Sequence, residues 1–512
     1  MFDLLTLGFE QIMSVNILIS LFIGVLAGVI AGAIPGFTIT MAVVLALPFT
    51  FGMLPAQGVA TILGVSVGGL SGGLITAALL GIPGTPSAVA TTFDAYPMVK
   101  NGYPGRALSI GIWSSFFGSI ISMVILVALA PQIAALAMKL GPWEYFSLIA
   151  FSITIIAGLT GESVEKGLLA GLFGLAIANV GMDPMTGVPR FTFGFYNLQA
   201  GVPFLTVLIG MFAISRLFEE IESHNIHSNS DLKSKSEMIN KKFDIDLLKG
   251  LKITLSQPIN LLRSSFIGTF IGAVPGAGAS ISNILAYDQA KKGSKHPEKF
   301  GTGIADGVVA SESGNNATAG GGMITTIALG IPGDAVGAVI LSALMIHGVT
   351  PGPLLIQNNP DIVGSIFASI MVASVFMLLI QFVGLRFFIK IVNIPNYILV
   401  PVVLTLCVIG TYLLNNRISD LYILLVMGLF GYILVKYKYP LTPAILGVIL
   451  GPMAESNLRR ALIIDPDSML FFTRPISLSF IVLSVLLIIF SVRQNKKISR
   501  LKTTGGGNED NE

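Results

Sequence analysis

Charge is what this sequence has least of. Asp, Glu, Lys and Arg supply 11% of its 512 residues, while 53% fall in the hydrophobic class; soluble domains carry about 25% charged residues. The shortage excludes an ordinary soluble enzyme, because apolar stretches this long and frequent cannot be hidden in soluble cores. The few charges nearly cancel, 30 basic against 27 acidic, which leaves no basic excess to hold nucleic acid. Cysteine is nearly absent: Cys407 stands alone, so neither an intrachain disulfide nor a Cys-rich metal site can form. The histidines, His224, His227, His296 and His347, lie at no metal-ligand spacing. No Gly-Lys dipeptide occurs, which removes the Walker A phosphate loop and the usual route to ATP hydrolysis.

Long hydrophobic runs are what is present. Those near 15–34, 106–130, 143–160, 199–218, 259–274, 361–392 and 475–492 are long enough to cross a bilayer core of about 30 Å. Shorter or Gly/Pro-broken ones lie at 38–54, 57–83, 164–181, 303–332, 335–347, 396–413, 420–435 and 440–452. The pattern predicts an all-α polytopic membrane protein with about a dozen helices, some of them re-entrant. Residues 1–14 hold no Lys or Arg, so the first run reads as a retained helix rather than a signal peptide. The lysines of 219–258 and the basic tail after Ser491 predict that both segments are cytoplasmic, with the N-terminus outside. The expected organisation is a first half over 1–218, a Lys-rich linker over 219–258, a second half over 259–492 and a disordered tail over 493–512.

An internal repeat joins the halves. Gly32-Ala33-Ile34-Pro35-Gly36 recurs as Gly272-Ala273-Val274-Pro275-Gly276, and Gly81-Ile82-Pro83-Gly84-Thr85 recurs as Gly330-Ile331-Pro332-Gly333-Asp334. With the N-terminus outside and the linker inside, the repeats would be inverted, an architecture of many secondary transporters. Each Pro-Gly pair removes a helix hydrogen bond and admits a left-handed backbone, tolerable in lipid only where protein or water satisfies the freed groups. Broken helices of this kind aim N-termini at anions and free carbonyls for cations.

Polar residues gather beside these tips. Ser311-Glu312-Ser313-Gly314-Asn315-Asn316 precedes the run Gly320-Gly321-Gly322, reading either as a binding segment or as a polar extramembrane turn. Backbone and hydroxyls at Pro35, Gly36, Thr38, Gly84, Thr85, Gly276, Gly278, Ser280 and Gly333, with the amides of Asn315 and Asn316, form the candidate site for a substrate carboxylate. Asp94, Glu312 and Asp334 are the candidates for a coupling ion; Asp183 and Asp465 read as interfacial. No catalytic arrangement and no resident metal or cofactor is expected. A channel or ion-only exchanger built on the same broken helices is the alternative, and an intramembrane enzyme or a scaffold subunit is a weaker one.

The chain resembles the large membrane subunit, TctA, of the tripartite tricarboxylate transporters. The resemblance is carried by Gly81 to Met98, including Pro83-Gly84-Thr85-Pro86 and Phe93-Asp94-Ala95-Tyr96, by Gly105-Arg106, by Pro275-Gly276-Ala277-Gly278, by Ser294 to Gly301, and by Glu312, Asn315-Asn316, Gly330 to Gly333 and His347-Gly348. It departs from the family's Ala-Pro-Glu at Ala310-Ser311-Glu312. The resemblance implies a multi-pass permease of the bacterial cytoplasmic membrane, driven by a sodium or proton gradient. It also implies two partners, a small four-helix membrane subunit (TctB-like) and an extracytoplasmic solute-binding protein (TctC-like), and citrate-like di- and tricarboxylate substrates.

Overall fold

The structure, a computed structural model, describes residues 2–159, 163–183, 185–223, 246–391 and 396–505. The Lys-rich linker lies largely outside the described residues, as do the last seven residues of the tail. The chain is all-α: among the described residues the strands are confined to Gly181–Met182 paired antiparallel with Pro189–Arg190. Among the described residues, seven helices are long and apolar enough to cross a membrane, Val15–Ala33, Pro55–Leu80, Pro104–Ala137, Pro142–Leu159, Pro360–Leu385, Ile398–Asn415 and Ile418–Lys436, with shorter apolar helices beside them. Proline opens helix after helix, at Pro55, Pro104, Pro142, Pro258, Pro360 and Pro475, where its missing N–H and fixed φ suit the first turn.

Two compact units emerge, one of residues 1–137 with 212–421 and one of 138–211 with 422–512. Each draws on both sequence halves.

In the first unit, Val15–Ala33 runs parallel to Pro55–Leu80 through facing glycines. A Cβ on Gly28 would lie 2.2 Å from the Val65 carbonyl oxygen, and one on Gly68 2.2 Å from that of Val25. Backbones this close require small residues at four-residue spacing, which Gly24, Gly28 and Gly32 answer with Gly64, Gly68 and Gly72. The second half repeats the arrangement: Pro258–Ala273 packs on Ala305–Leu329, and a Cβ on Gly268 would lie 2.3 Å from the Gly314 oxygen. The stretches 57–83 and 303–332, expected as broken, therefore contain unbroken helices of 26 and 25 residues. Their glycines cost helix propensity, about 1 kcal/mol each relative to Ala, but the close helix contact they permit offsets that cost and the helices run on unbroken. Each helix ends instead on a left-handed glycine, Gly81 at φ 68° and Gly330 at φ 71°, and the Pro-Gly pairs follow in the turn. The run 199–218 also differs from expectation. It is irregular to Pro203, helical over Phe204–Leu208, widened into a π-turn over Ile209–Ile214 and helical again over Ser215–Ser223.

In the second unit, Pro142–Leu159, Val164–Ala178, Leu441–Ile464 and Pro475–Gly505 pack together. Glu144 receives the Arg474 guanidinium at 2.5 Å, and that guanidinium lies over the Trp143 ring at 4.6 Å. The connection after Ala178 is a β-hairpin fastened by ion pairs: Arg459 to Asp183 at 2.9 Å, Arg459 to Glu455 at 2.7 Å and Arg190 to Glu455 at 2.6 Å. The Met185 N–H and the Thr186 hydroxyl, with Arg459 behind them, hold the Asp183 carboxyl well below the usual carboxylate range. Asp183 is thus a buried anchor of the turn.

Candidate functional site

The site lies in the first unit, where the two halves exchange contacts symmetrically. Chain turns at Ile34 and Val274 leave their helices with nearly the same dihedrals, and Gly36 and Gly276 follow at φ 83° and 84°. Each turn is met by the Pro-Gly pair of its own half. A Cβ on Gly84 would lie 2.3 Å from the Gly32 oxygen, and one on Gly333 2.2 Å from the Gly272 oxygen. The Gly276 N–H donates to the Gly333 carbonyl at 2.6 Å. The helix after each turn then packs on the other half: Ile39–Ala46 against Ala335–Ile346, and Gly278–Lys292 against Pro86–Ala88.

Glu312 sits at the centre. It is fully buried within Ala305–Leu329, so the Ser311 to Asn316 segment is helix interior and not a polar turn. Three neutral donors reach its carboxylate: the Thr91 hydroxyl at 2.6 Å, the Ser115 hydroxyl at 2.8 Å and the Asn316 amide at 3.3 Å. Thr91 and Ser115 come from the first half, Asn316 from the second. Asn283 extends the cluster, accepting from the Ala90 N–H at 2.6 Å and donating to the Ser311 carbonyl at 3.0 Å and to Thr91 at 3.3 Å. Among the described residues no Lys, Arg or His forms an ion pair with Glu312. A carboxylate in a low-dielectric interior held only by neutral donors is suited to carrying a proton or a small cation.

Asn315 opens a second polar node. Its amide donates to the Leu70 carbonyl at 2.9 Å, and beside it Gln381 donates to the Ser71 hydroxyl at 2.9 Å. The oxygens of Asn315, Asn316 and Gln381 and the Ser119 hydroxyl are buried without a hydrogen-bond partner among the described residues. Buried polar atoms are ordinarily satisfied; the three amide oxygens accept only, so they can receive a donor or a cation and not a carboxylate.

Other expected residues take different positions. Asp94 is buried and fully engaged: its Oδ1 accepts from the N–H groups of Gly301, Gly303 and Ile304 at 2.9, 2.8 and 3.0 Å, and its Oδ2 from the Tyr287 hydroxyl at 2.8 Å. It clamps the turn before Ala305–Leu329. Asp334 caps the helix Ala335–Ile346 through the Gly337 N–H at 2.7 Å, and Thr38 caps Ile39–Ala46 through the Met41 N–H at 3.1 Å. Gly278, at φ 58°, faces Asp334. Thr85 is buried and shares a hydrogen bond of 2.9 Å with Ser87. Pro35, Thr38 and Ser280 are half-buried and Gly36 is exposed, its carbonyl accepting from Arg216 at 3.3 Å. Thr91, Ser115, Asn283, Ser71 and Gln381 were not among the expected site residues; for Ser71, Ser115 and Gln381 the available signal was a hydroxyl or amide inside an apolar run, whereas Thr91 and Asn283 lie outside those runs.

A model of the tripartite tricarboxylate transporter TctA family matches residues 18–446. Two relatives in Agrobacterium vitis are similar to the chain. One, described as an uncharacterized 52.8 kDa protein in the TAR-I ttuC' 3'region, is 32% identical over 499 residues, 97% of each chain. The other, an uncharacterized protein in the TAR-II ttuC' 3'region, is 34% identical over 226 residues, covering 44% of this chain and 93% of its own length. No solved structure matches.

Proposed function

Because this chain belongs to the tripartite tricarboxylate transporter TctA family, a family of multi-pass membrane transporters, we propose that it is the large permease subunit of a three-part uptake system for small di- and tricarboxylates. It works in the bacterial cytoplasmic membrane with a small membrane subunit and an extracytoplasmic solute-binding protein, and catalyses no chemical conversion. Uptake is driven by entry of sodium ions or protons.

The observation that carries this reading is Glu312, a buried carboxylate bound by neutral donors from both halves. Moving a carboxylate substrate together with a cation reduces the charge that must cross a low-dielectric slab. Glu312 is the cation carrier; the Asn315 and Asn316 amide N–H groups are already engaged, so their unpaired oxygens serve as further acceptors for the cation, and the turns at Gly36, Gly84, Gly276 and Gly333 receive the substrate carboxylates. Two inverted repeats, 1–218 and 259–492 about a cytoplasmic linker, supply the alternation of access. The matched turns and the exchanged helix contacts support that symmetry.

Purified permease reconstituted with its partners tests the proposal. Labelled citrate and related acids should accumulate under an inward sodium or proton gradient and not without one. Glu312→Gln and Asn316→Ala should each abolish accumulation while leaving the protein folded. Normal accumulation by both variants would overturn the site, and flux independent of any gradient would overturn the mechanism.

A further inference from the structure

The hairpin after Val164–Ala178 is built inside out for a loop in water. Its charges, Asp183 and Arg190, pair with Glu455 and Arg459. Its apolar side chains turn outward: Met182, Met185, Val188, Phe191 and Phe195 are exposed, with Phe193 and Tyr196 at 79% and 81%. Water-facing loops normally arrange the two kinds the other way round. The outward groups are also held on a rigid frame. Asp183 N–H donates to the Val188 carbonyl at 3.0 Å, Gly187 N–H to Asp183 at 2.8 Å and Met182 N–H to Gln199 at 3.0 Å. Phe191 and Phe193 take left-handed backbone at φ 51° and 49°, a conformation a bulky side chain adopts only when its surroundings impose it.

Helix length supplies the reason. Val164–Ala178 has 15 residues, about 22 Å at 1.5 Å per residue, short of a bilayer core of about 30 Å. The first strand begins at Gly181, within about 10 Å of the helix end by chain length alone, so the hairpin base and the helix end must share one depth relative to the bilayer. The helix itself exposes Leu169, Leu172 and Phe173, so its apolar surface continues into the hairpin. The connection that Leu441–Ile464 enters does likewise, exposing Ile463, Ile464, Met469 and Phe472. Tyr at such a boundary favours the headgroup layer and Phe the acyl side of it, and a short span is compensated by flanking anchors.

We propose that the hairpin Gly181–Gln199 seats its aromatic edge, Phe191, Phe193, Phe195 and Tyr196, in the headgroup–acyl boundary of the bilayer, completing the apolar reach of the short helix before it. The occupant of this face is lipid. The hairpin's own backbone bonds and its internally paired charges make that burial tolerable.

Spin labels at Phe193→Cys and, separately, Tyr196→Cys, in the full chain carrying Cys407→Ser and reconstituted into vesicles, test this by power-saturation accessibility. The expected result is strong relaxation by oxygen and loss of relaxation by a water-soluble nickel chelate at both positions. Nickel access with fast label motion would overturn the proposal by making the edge a water-facing loop. Exclusion of both relaxants would also overturn it, by making the edge a protein contact. Two label positions guard against a single misfolded variant, and neither lies in the transport site.

Discussion

The Thr91 hydroxyl donates to Glu312 Oε1 across 2.6 Å, joining residues 221 positions apart. Among the described residues it is the one donor to that oxygen, whereas Oε2 has both Ser115 and Asn316. The bond ties the segment after the Pro83-Gly84 turn of the first half to the middle of Ala305–Leu329 in the second. A change at either residue is therefore felt by both halves.

Thr91→Val keeps the shape and removes that donor. A hydrogen bond to a charged group contributes about 1.5–3 kcal/mol, so initial uptake should fall by about tenfold or more. Ser115→Ala should fall less, because Asn316 still serves Oε2. Initial rates in reconstituted vesicles check the order; equal losses would show that the two oxygens are not distinguished.

Asp94 is expected to act on stability. Asp94→Ala strands the buried Tyr287 hydroxyl, which costs about 1–3 kcal/mol, and three partly buried N–H groups, which cost less each because water can reach them. Tyr287→Phe removes one bond to a carboxylate and should cost about 1.5–3 kcal/mol. Thermal unfolding in detergent should rank Asp94→Ala well below Tyr287→Phe, with the ion dependence of residual uptake unchanged. A shifted ion dependence in Tyr287→Phe would return Asp94 to the coupling machinery.

Membrane embedding and the duplicated turns were legible in the sequence because hydropathy and Pro-Gly pairs are local signals. Whether a glycine breaks a helix is not local. Gly68, Gly72 and Gly73 lie in a run that reads as broken, yet the facing Val25 and Val29 backbones need Gly68 and Gly72 small and Thr85 needs Gly73 small, so the helix continues. The same limit applies to the acids. Glu312 and Asp94 look alike in sequence, and only packing gives one a ring of neutral side-chain donors and the other a clamp of backbone N–H groups. Thr91 and Ser115 were hidden among many hydroxyls because their role depends on a partner two hundred residues away.

The repeat predicts paired effects. A Cβ at Gly84 or Gly333 meets the equivalent carbonyl at 2.3 or 2.2 Å, so Gly84→Ala and Gly333→Ala should each destabilise by about 1–3 kcal/mol through overpacking. Gly36 has a neighbouring side-chain atom no closer than 3.5 Å. Gly36→Ala therefore carries only left-handed strain, about 1–2 kcal/mol, and the Arg216 guanidinium has room to move. Thermal unfolding of the three variants checks the pairing; a wide gap between Gly84→Ala and Gly333→Ala would break the equivalence of the halves.

Acid should loosen the hairpin late. Asp183 is held below its ordinary range first by the Met185 N–H, then by the Thr186 hydroxyl and Arg459. A depressed folded value means that its stabilisation is complete above the unfolded carboxylate value, about 3.9, and is lost as pH falls through the lower folded value. Amide hydrogen exchange over 181–199, corrected for intrinsic rates, should therefore be flat from pH 7 to about 5 and rise only below about 4. Asp183→Asn keeps one acceptor but loses the charge that Arg459 needs, and should show raised exchange already at pH 7. Protection lost between pH 7 and 5 in the unmodified chain would mean that a group other than Asp183 fastens the hairpin.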